Sequence, residues 1–314
     1  MEAVQDKWIC GFWRRIGALF IDSLILGFLG YILGFFLEDA FVQLGLWAKL
    51  IGFAISITYF GVMNSSVSNG QTIGKKWLKI RVVDASNSTI SVPKSLLRYS
   101  ILATPFFLNG AHMPNEDLFS YLIYPFSFIV MGGLFSTLYL YFFNRLTRQS
   151  LHDLVIGTFV VNSNTAVKAL PPVWKPHFIV IACFFIIATI VPALSSGVVE
   201  SNNLKDLLVT QDTVSQHDFI KYADVNVGEG SLTSTDSDAP VVTFFDVQAV
   251  LSNNKIDDID VAKKIAGTIV KTYPGADSYN FIQVNLKYGY DIGIASKWHT
   301  HSYRFNLNEK SIKE

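Results

Sequence analysis

The sequence predicts an all-α transmembrane helical bundle of about five membrane segments, followed by a small soluble α+β domain. Three observations carry that class. Half of the residues are hydrophobic and only 16% are charged, against roughly a quarter charged in an average soluble domain. The apolar surplus lies before residue 197, in runs close to or above the roughly twenty residues that cover a bilayer core. Beyond it the pattern changes to alternation around turn residues, with one amphipathic helical stretch.

Ile16–Leu37 and Leu46–Met63 read as the first two membrane helices, a hairpin joined by a short acidic turn at Glu38 and Asp39. The first run is too long for the h-region of a signal peptide and is expected to remain as an anchor. A polar loop follows, "NSSVSNGQTIGKKWLKIRVVDASNSTISVPKSLLR", rich in Lys and Arg and almost without acids. The positive-inside bias places this loop and the Arg14–Arg15 start in the cytoplasm. Inside it, "WLKIRVVD" alternates like a strand, and Val92-Pro93 after Asn-Ser-Thr resembles a turn into a helix, so a small hairpin is expected here. "YSILATPFFLNG" is short and contains Pro105, whereas "LFSYLIYPFSFIVMGGLFSTLYLYFF" is ample for a span. Two crossings keep Arg145, Arg148, Lys168 and Lys175 on the cytoplasmic side, the first crossing being short, kinked or partly re-entrant.

"PHFIVIACFFIIATIVPAL", residues 176–194, is the last span and sends the tail outward. The division is therefore a bundle over 1–170, a final membrane helix over 171–196 and an exported domain over 197–314. In the tail a polar linker leads through the loop-like "GEGSLTSTDSDAP" to a strand near Val241–Phe245. A helix near Asp258–Tyr273 follows, then strands near Tyr279–Tyr290 and Ile292–Leu307. The 25 basic and 25 acidic residues cancel overall. Basic residues dominate the membrane part and acidic ones the tail, an asymmetry that the neutral total hides. Cys10 and Cys183 lie in or beside spans and the tail has no cysteine, so no disulfide framework is expected.

A carboxylate in the middle of a span is expensive, by about 2.5–3.5 kcal/mol on insertion scales, so Asp22 should face the bundle interior and have a partner. Arg15 shares its helix face at two turns, roughly 10 Å away, too far for a direct bond unless its side chain extends down toward the acid, so a partner from another helix is the favoured reading. Asp153, after His152 in "NRLTRQSLHDLVIGTFVV", is the candidate.

These segments carry a resemblance. "GFWRRIGALFID", "NGQTIGKKWLKIRVVD", "VPKSLLRYS" and "RQSLHDLVIGTFVV", in that order over about residues 8–162, resemble the RDD family of bacterial integral membrane proteins, named for an arginine and two aspartates. The resemblance implies that Arg15, Asp22 and Asp153 are the eponymous triad, with Arg14 a substitute for Arg15. It also implies a role in transport with unidentified ligands, monovalent cation/proton exchange among them. It does not reach the tail, which resembles no family.

A buried Asp raised by desolvation and lowered by a neighbouring Arg can be poised to exchange a proton for a cation, and His152 adds a second group that titrates near neutral pH. The bland alternative is an ion cluster that only fixes helix packing. "NGQTIGKK" lacks the spacing of a phosphate loop, so Lys75, Lys76, Lys79 and Arg81 are read as a basic patch for lipid headgroups. His299 and His301 share a strand face, but no further ligands accompany them, and no metal, cofactor or catalytic set is expected. The expected function is transport of an unidentified ion or small solute in the bacterial inner membrane, with a cytoplasmic N-terminus and a periplasmic or extracellular tail. The alternative is a non-transporting scaffold whose exported domain binds an envelope protein. The lipid bilayer, a monovalent cation or proton, an envelope protein and a second copy of the chain are the expected partners. Nucleic acid and enzymatic chemistry are not expected.

Overall fold

A computed structural model describes residues 8–111, 121–163, 165–166, 172–199, 202–231 and 241–307. The described residues divide into two compact units. The first holds the chain up to Phe36, then Leu46–Leu194 and Ile292–Ala295. The second holds Leu37–Gly45, residues 195–291 and the chain from Ser296 onward.

The first unit is helical because its sequence is apolar over whole turns without interruption. Among the described residues, three stretches are long and apolar enough to cross a membrane: Phe12–Met63, Ile123–Phe143 and Pro176–Leu194. The first of these is a hairpin of α1 (Phe12–Leu44) and α2 (Lys49–Met63), joined by a 3₁₀ turn at Gly45–Ala48. The acidic turn expected at Glu38 and Asp39 is instead helical; the break is the single non-helical residue Leu37, after which α1 resumes to Leu44. Acidic residues can cap or end a helix, but they do not force it to stop.

After α2 come the short α3 (Ile73–Trp77) and strand β1 (Ile80–Asp84), then α4 (Val92–Leu108). α4 enters on Pro93, a proline tolerated in the first turn, and carries Pro105 near its end. It covers the segment expected to cross as a short, kinked or partly re-entrant span and is not among the three long apolar stretches, so five crossings is a finer count than the fold itself provides. The Ile123–Phe143 stretch consists of α5 (Ile123–Ser127), a π turn at Phe128–Gly132 and α6 (Gly133–Phe143). A short α7 (Leu151–Ile156) leads through left-handed Gly157 into β2 (Thr158–Asn162), and α8 (Pro176–Val199) is the last long apolar helix.

Small residues let these helices approach. A side chain on Gly132 would stand 2.4 Å from the Phe185 ring of α8, and one on Gly61 2.3 Å from Leu96 of α4. Phe60 of α2 stacks on Tyr99 of α4 with centroids 4.5 Å apart. Facing away from these contacts, Phe20, Leu24, Phe28 and Phe35 of α1 and Phe178, Ile179, Ile186 and Ile190 of α8 are exposed. An apolar belt of that extent is what a helix presents to lipid.

The expected small hairpin within the basic loop is not formed. β1 pairs antiparallel with β2, from Ile80 opposite Asn162 to Asp84 opposite Thr158, and Ile9 bridges Val161 on the other side. The tight turn after β1 is closed by the Asp84 carboxylate, which accepts from the backbone N–H groups of Ser86 and Ser88, both at 2.9 Å. Val82 and Val83 of β1 and Val160 and Val161 of β2 are buried with Cys10, Trp8 and Ala18. "TFVVN" supplied a better apolar partner than the polar Asn-Ser-Thr segment could.

Among the described residues the second unit contains a four-stranded sheet and two α-helices. It comprises α9 (Asn202–Ser215), β3 (Ile220–Ser231), β4 (Val241–Leu251), α10 (Ile259–Thr272), β5 (Phe281–Asp291) and β6 (Ser296–Asn306). Strand order is β3-β4-β5-β6, antiparallel except for the parallel β4–β5 pair that α10 connects. α10 is capped by the Asp258 carboxylate, which accepts from Asp260 N–H, and its Val261, Ala262, Ile265 and Ile269 stripe is buried. That stripe packs on Phe245, Val247, Ala249 and Leu251 of β4 and Ile282, Val284 and Leu286 of β5, the period-two face of each strand. The expected linker at the head of the tail is α9 followed by β3; the central part of "GEGSLTSTDSDAP", from residue 232 on, lies outside the described residues. α9 escaped notice because its polar residues dilute the signal of Leu207 and Val214, which pack on the core. Within this unit the Leu37–Gly45 tip is tied to the sheet: Lys297 Nζ meets Glu38 Oε2 at 2.6 Å, and the Tyr288 hydroxyl donates to Asp39 at 3.4 Å.

Candidate polar centre of the bundle

The buried face of α1 is set by helical spacing, with Arg15, Ala18, Asp22 and Leu26 all almost fully covered. Arg15 reaches α7. Its Nη2 lies 2.7 Å from Asp153 Oδ2, its Nη1 donates to the Arg148 carbonyl, and the guanidinium lies over the Tyr141 ring. Asp153 is fully buried and takes a second guanidinium on its other oxygen. Arg98 donates to Oδ1 from Nη2 at 2.7 Å and from Nε at 2.9 Å, and Thr158 Oγ1 donates to the same oxygen at 2.8 Å. Burial raises the Asp153 carboxyl, but the positive charges of Arg98 and Arg15 more than reverse it and hold the group ionised well below the usual carboxylate range. This is a buried ion cluster in which each carboxylate oxygen meets a guanidinium.

Asp22 belongs to a different set of contacts. Its Oδ1 accepts from the Tyr59 hydroxyl at 2.7 Å and from Gly74 N–H at 2.8 Å, and its Oδ2 accepts from the Thr72 hydroxyl at 2.5 Å. Tyr59 comes from α2, while Thr72 caps α3. The approach of α3 to α1 depends on Gly74, where a Cβ would lie 2.2 Å from the Ala18 carbonyl oxygen. The expected single Arg15–Asp22–Asp153 cluster is thus corrected: Arg15 joins Asp153, and three neutral donors hold Asp22. Two turns of helix separate Arg15 from Asp22, and the guanidinium extends toward α7.

The two sets nonetheless line one small cavity of about 70 Å³, whose walls include Arg15, Asp22, Asn64, Lys75, Arg98 and His152. His152 is buried beside Arg98, with Nε2 3.1 Å from Arg98 Nη2. Burial pushes its imidazole down to about 3, against the raising effect of Asp153, so it is neutral at physiological pH rather than the near-neutral titrating group expected. Lys75 does not join a surface patch: its ammonium donates to buried Asn64 Oδ1, and burial, followed by the charge of Arg98, pushes it down to about 7. Lys76 and Lys79 are exposed, and Arg81 is half-buried on β1. Neighbouring residues on a helix point about 100° apart, which is why Lys75 and Lys76 have different fates. Arg14 stays outside the centre and donates to Asn162 Oδ1 at 3.0 Å on the surface.

Arg98, Thr158, Tyr59 and Thr72 were not foreseen as members. Arg98 had a readable signal: it is a lone cation in "LLRYSILATPFF", and an ionisable residue in so apolar a helix calls for a partner. The hydroxyl donors had none, since Thr and Tyr are unremarkable in any membrane helix. Among the described residues no group of three or more His, Cys, Asp or Glu side chains converges as a metal site. In the tail, His301 Nδ1 lies 2.7 Å from Asp257.

Long apolar helices with exposed apolar faces, packed around buried, mutually satisfied charges, define an integral membrane protein of the helical-bundle type. More particularly, the RDD family matches residues 9–157, and this chain belongs to that family. It is 31% identical over 110 residues to "Uncharacterized protein YxaI" of Bacillus subtilis (strain 168), an alignment covering 28% of this chain and 72% of that protein. Residues 158–314 lie outside the family match. No solved structure matches the chain.

Proposed function

We propose that this protein transports an ion or small solute across the bacterial inner membrane, with the small polar cavity of the bundle as its binding point. One observation carries the reading. Asp22 is a buried carboxylate held by neutral donors alone, at a cavity it shares with Arg15, Lys75, Arg98 and His152. Asp153 is clamped by two guanidinium groups and serves as the anchor. Among the described residues the hydrogen bonds to Asp22 come from no cationic side chain, so a monovalent cation entering the cavity can take that place. The reading includes no enzymatic step.

The orientation proposed is multi-pass, with the N-terminus in the cytoplasm and the C-terminal unit in the periplasm or outside the cell. It is supported by the basic character of the loop after α2, and by the membership of the Leu37–Gly45 tip in the same unit as the tail.

The test is flux into proteoliposomes of purified full-length protein across sodium, potassium and proton gradients. Wild-type protein moves at least one of these ions, and Asp22→Asn abolishes the movement while retaining its elution volume and melting temperature to within a few degrees. Equal flux in the two proteins overturns the assignment.

One observation favours a second reading, in which the exported unit holds an envelope protein. β6 is one of the two edge strands of the sheet and almost every residue along it is exposed, and an open edge can accept a strand from a partner. Under that reading, deletion of residues 197–314 abolishes cross-linking to a defined envelope protein and the full-length chain carries no flux.

A further inference from the structure

Beside the polar cavity the first unit contains a larger one of about 410 Å³, within the roughly 300–1,000 Å³ range of small-molecule pockets. Its wall is mostly apolar, with Leu26, Leu102, Ala103 and Phe106 among its residues, and His152 is a polar member of it. The ring of His152 is almost fully covered, and its Nδ1 is a buried side-chain atom with no hydrogen-bond partner among the described residues.

The ring's proton can be assigned. Nε2 lies 3.1 Å from Arg98 Nη2, and a guanidinium has no acceptor, so Nε2 must accept. In the neutral ring the remaining nitrogen then carries the proton, which makes Nδ1–H a donor with nothing to receive it. A buried donor left unsatisfied is costly, by about 1–3 kcal/mol, and such groups in native structures call for an explanation. The His152 side chain belongs to the wall of this mostly apolar cavity, where Ser23, Ser56, Tyr99, Thr137 and Tyr141 are the other polar members.

We propose that this cavity binds a lipophilic small molecule bearing a carbonyl oxygen, which accepts the hydrogen bond from His152 Nδ1–H while its apolar body lies against Leu26, Leu102, Ala103 and Phe106. A membrane-soluble quinone and a fatty-acyl ester share that chemistry. The site goes beyond the transport reading, because its occupancy is measured without flux and either idea can fail alone.

The experiment uses full-length protein in maltoside micelles, labelled with ¹⁵N in the histidine rings. The His152 Nδ1–H resonance is assigned by its loss in His152→Leu. Three probes are titrated: decylubiquinone, methyl decanoate and decane. Saturable binding of the quinone or the ester, with a shift of the Nδ1–H resonance and at least ten-fold tighter than decane, is the expected result; which of the two binds identifies the source of the carbonyl. Ala103→Phe, which fills the cavity, should weaken that probe at least ten-fold. His152→Leu should bring it to the level of decane. Should neither carbonyl compound saturate, should decane bind equally well, or should Ala103→Phe bind like wild type, the proposal is wrong.

Discussion

Asp22 and Asp153 are the same side chain in two electrostatic settings, and the settings give them different sensitivities. Asp153 joins two guanidinium groups, so Asp153→Asn leaves two buried cations facing a neutral amide. Breaking a buried pair from one side costs about 3–5 kcal/mol, and the expected outcome is a large fall in melting temperature and in folded yield from the membrane. Asp22→Asn keeps an acceptor oxygen for Tyr59 or Gly74 and should cost only about 1–2 kcal/mol. A stability ranking with Asp22→Asn the worse of the two would contradict this division. Lys75 provides a pH test. Held down at about 7 by burial and by Arg98, its amine is neutral above that pH, and below it adds positive charge to a cavity already lined by Arg15 and Arg98. The ¹⁵N resonance of its Nζ, assigned by its loss in Lys75→Met, should titrate with a midpoint near pH 7, whereas a midpoint above about 9 would place the ammonium in solvent. That Arg15, Asp22 and Asp153 are buried was legible in their cost to an apolar chain. Which of them touch was not, because an arginine side chain reaches any of several neighbours and only the packing selects one.

Among the elements, α3 has the greatest leverage for its length. Five residues suffice to deliver Gly74 N–H and the Thr72 hydroxyl to Asp22, and the close approach to Ala18 leaves no room for a side chain at Gly74. Gly74→Val should therefore push α3 away from α1, at a cost of about 1–3 kcal/mol from overpacking. It should also leave Asp22 without two of its donors. The check is a lower melting temperature together with loss of flux, since the carboxylate would lose its position; unchanged values for both would show that α3 has room to move. The strand in "WLKIRVVD" was readable from its alternation, but its partner, β2, was not. A strand pattern states which face is apolar and says nothing about which distant segment completes the ladder. α9 and β3 were missed for the converse reason: their apolar residues are too few to show a period, and they gain their burial from α10 and the sheet.

For the whole molecule, the arrangement of the chain across the bilayer is the property most open to test. Glu38 and Lys297 form an ion pair within the C-terminal unit. Cysteines introduced together as Glu38→Cys and Lys297→Cys should be joined in intact spheroplasts by a bis-maleimide that cannot enter the cytoplasm. Cross-linking only after lysis would place the tail inside and reverse the proposed orientation. Membrane residence, the apolar helices and the mixed α/β character of the tail follow from composition and periodicity, and the family from four motifs in order, because a helix that crosses lipid must be long, apolar and internally hydrogen-bonded. The separation of Asp22 from the Arg15–Arg98–Asp153 cluster, the inward turn of Lys75 and the unpaired nitrogen of His152 depend on how residues more than ten positions apart pack together. Those were decided only on folding, since hydrogen bonds and ion pairs act over a few ångströms and packing alone brings such residues within reach.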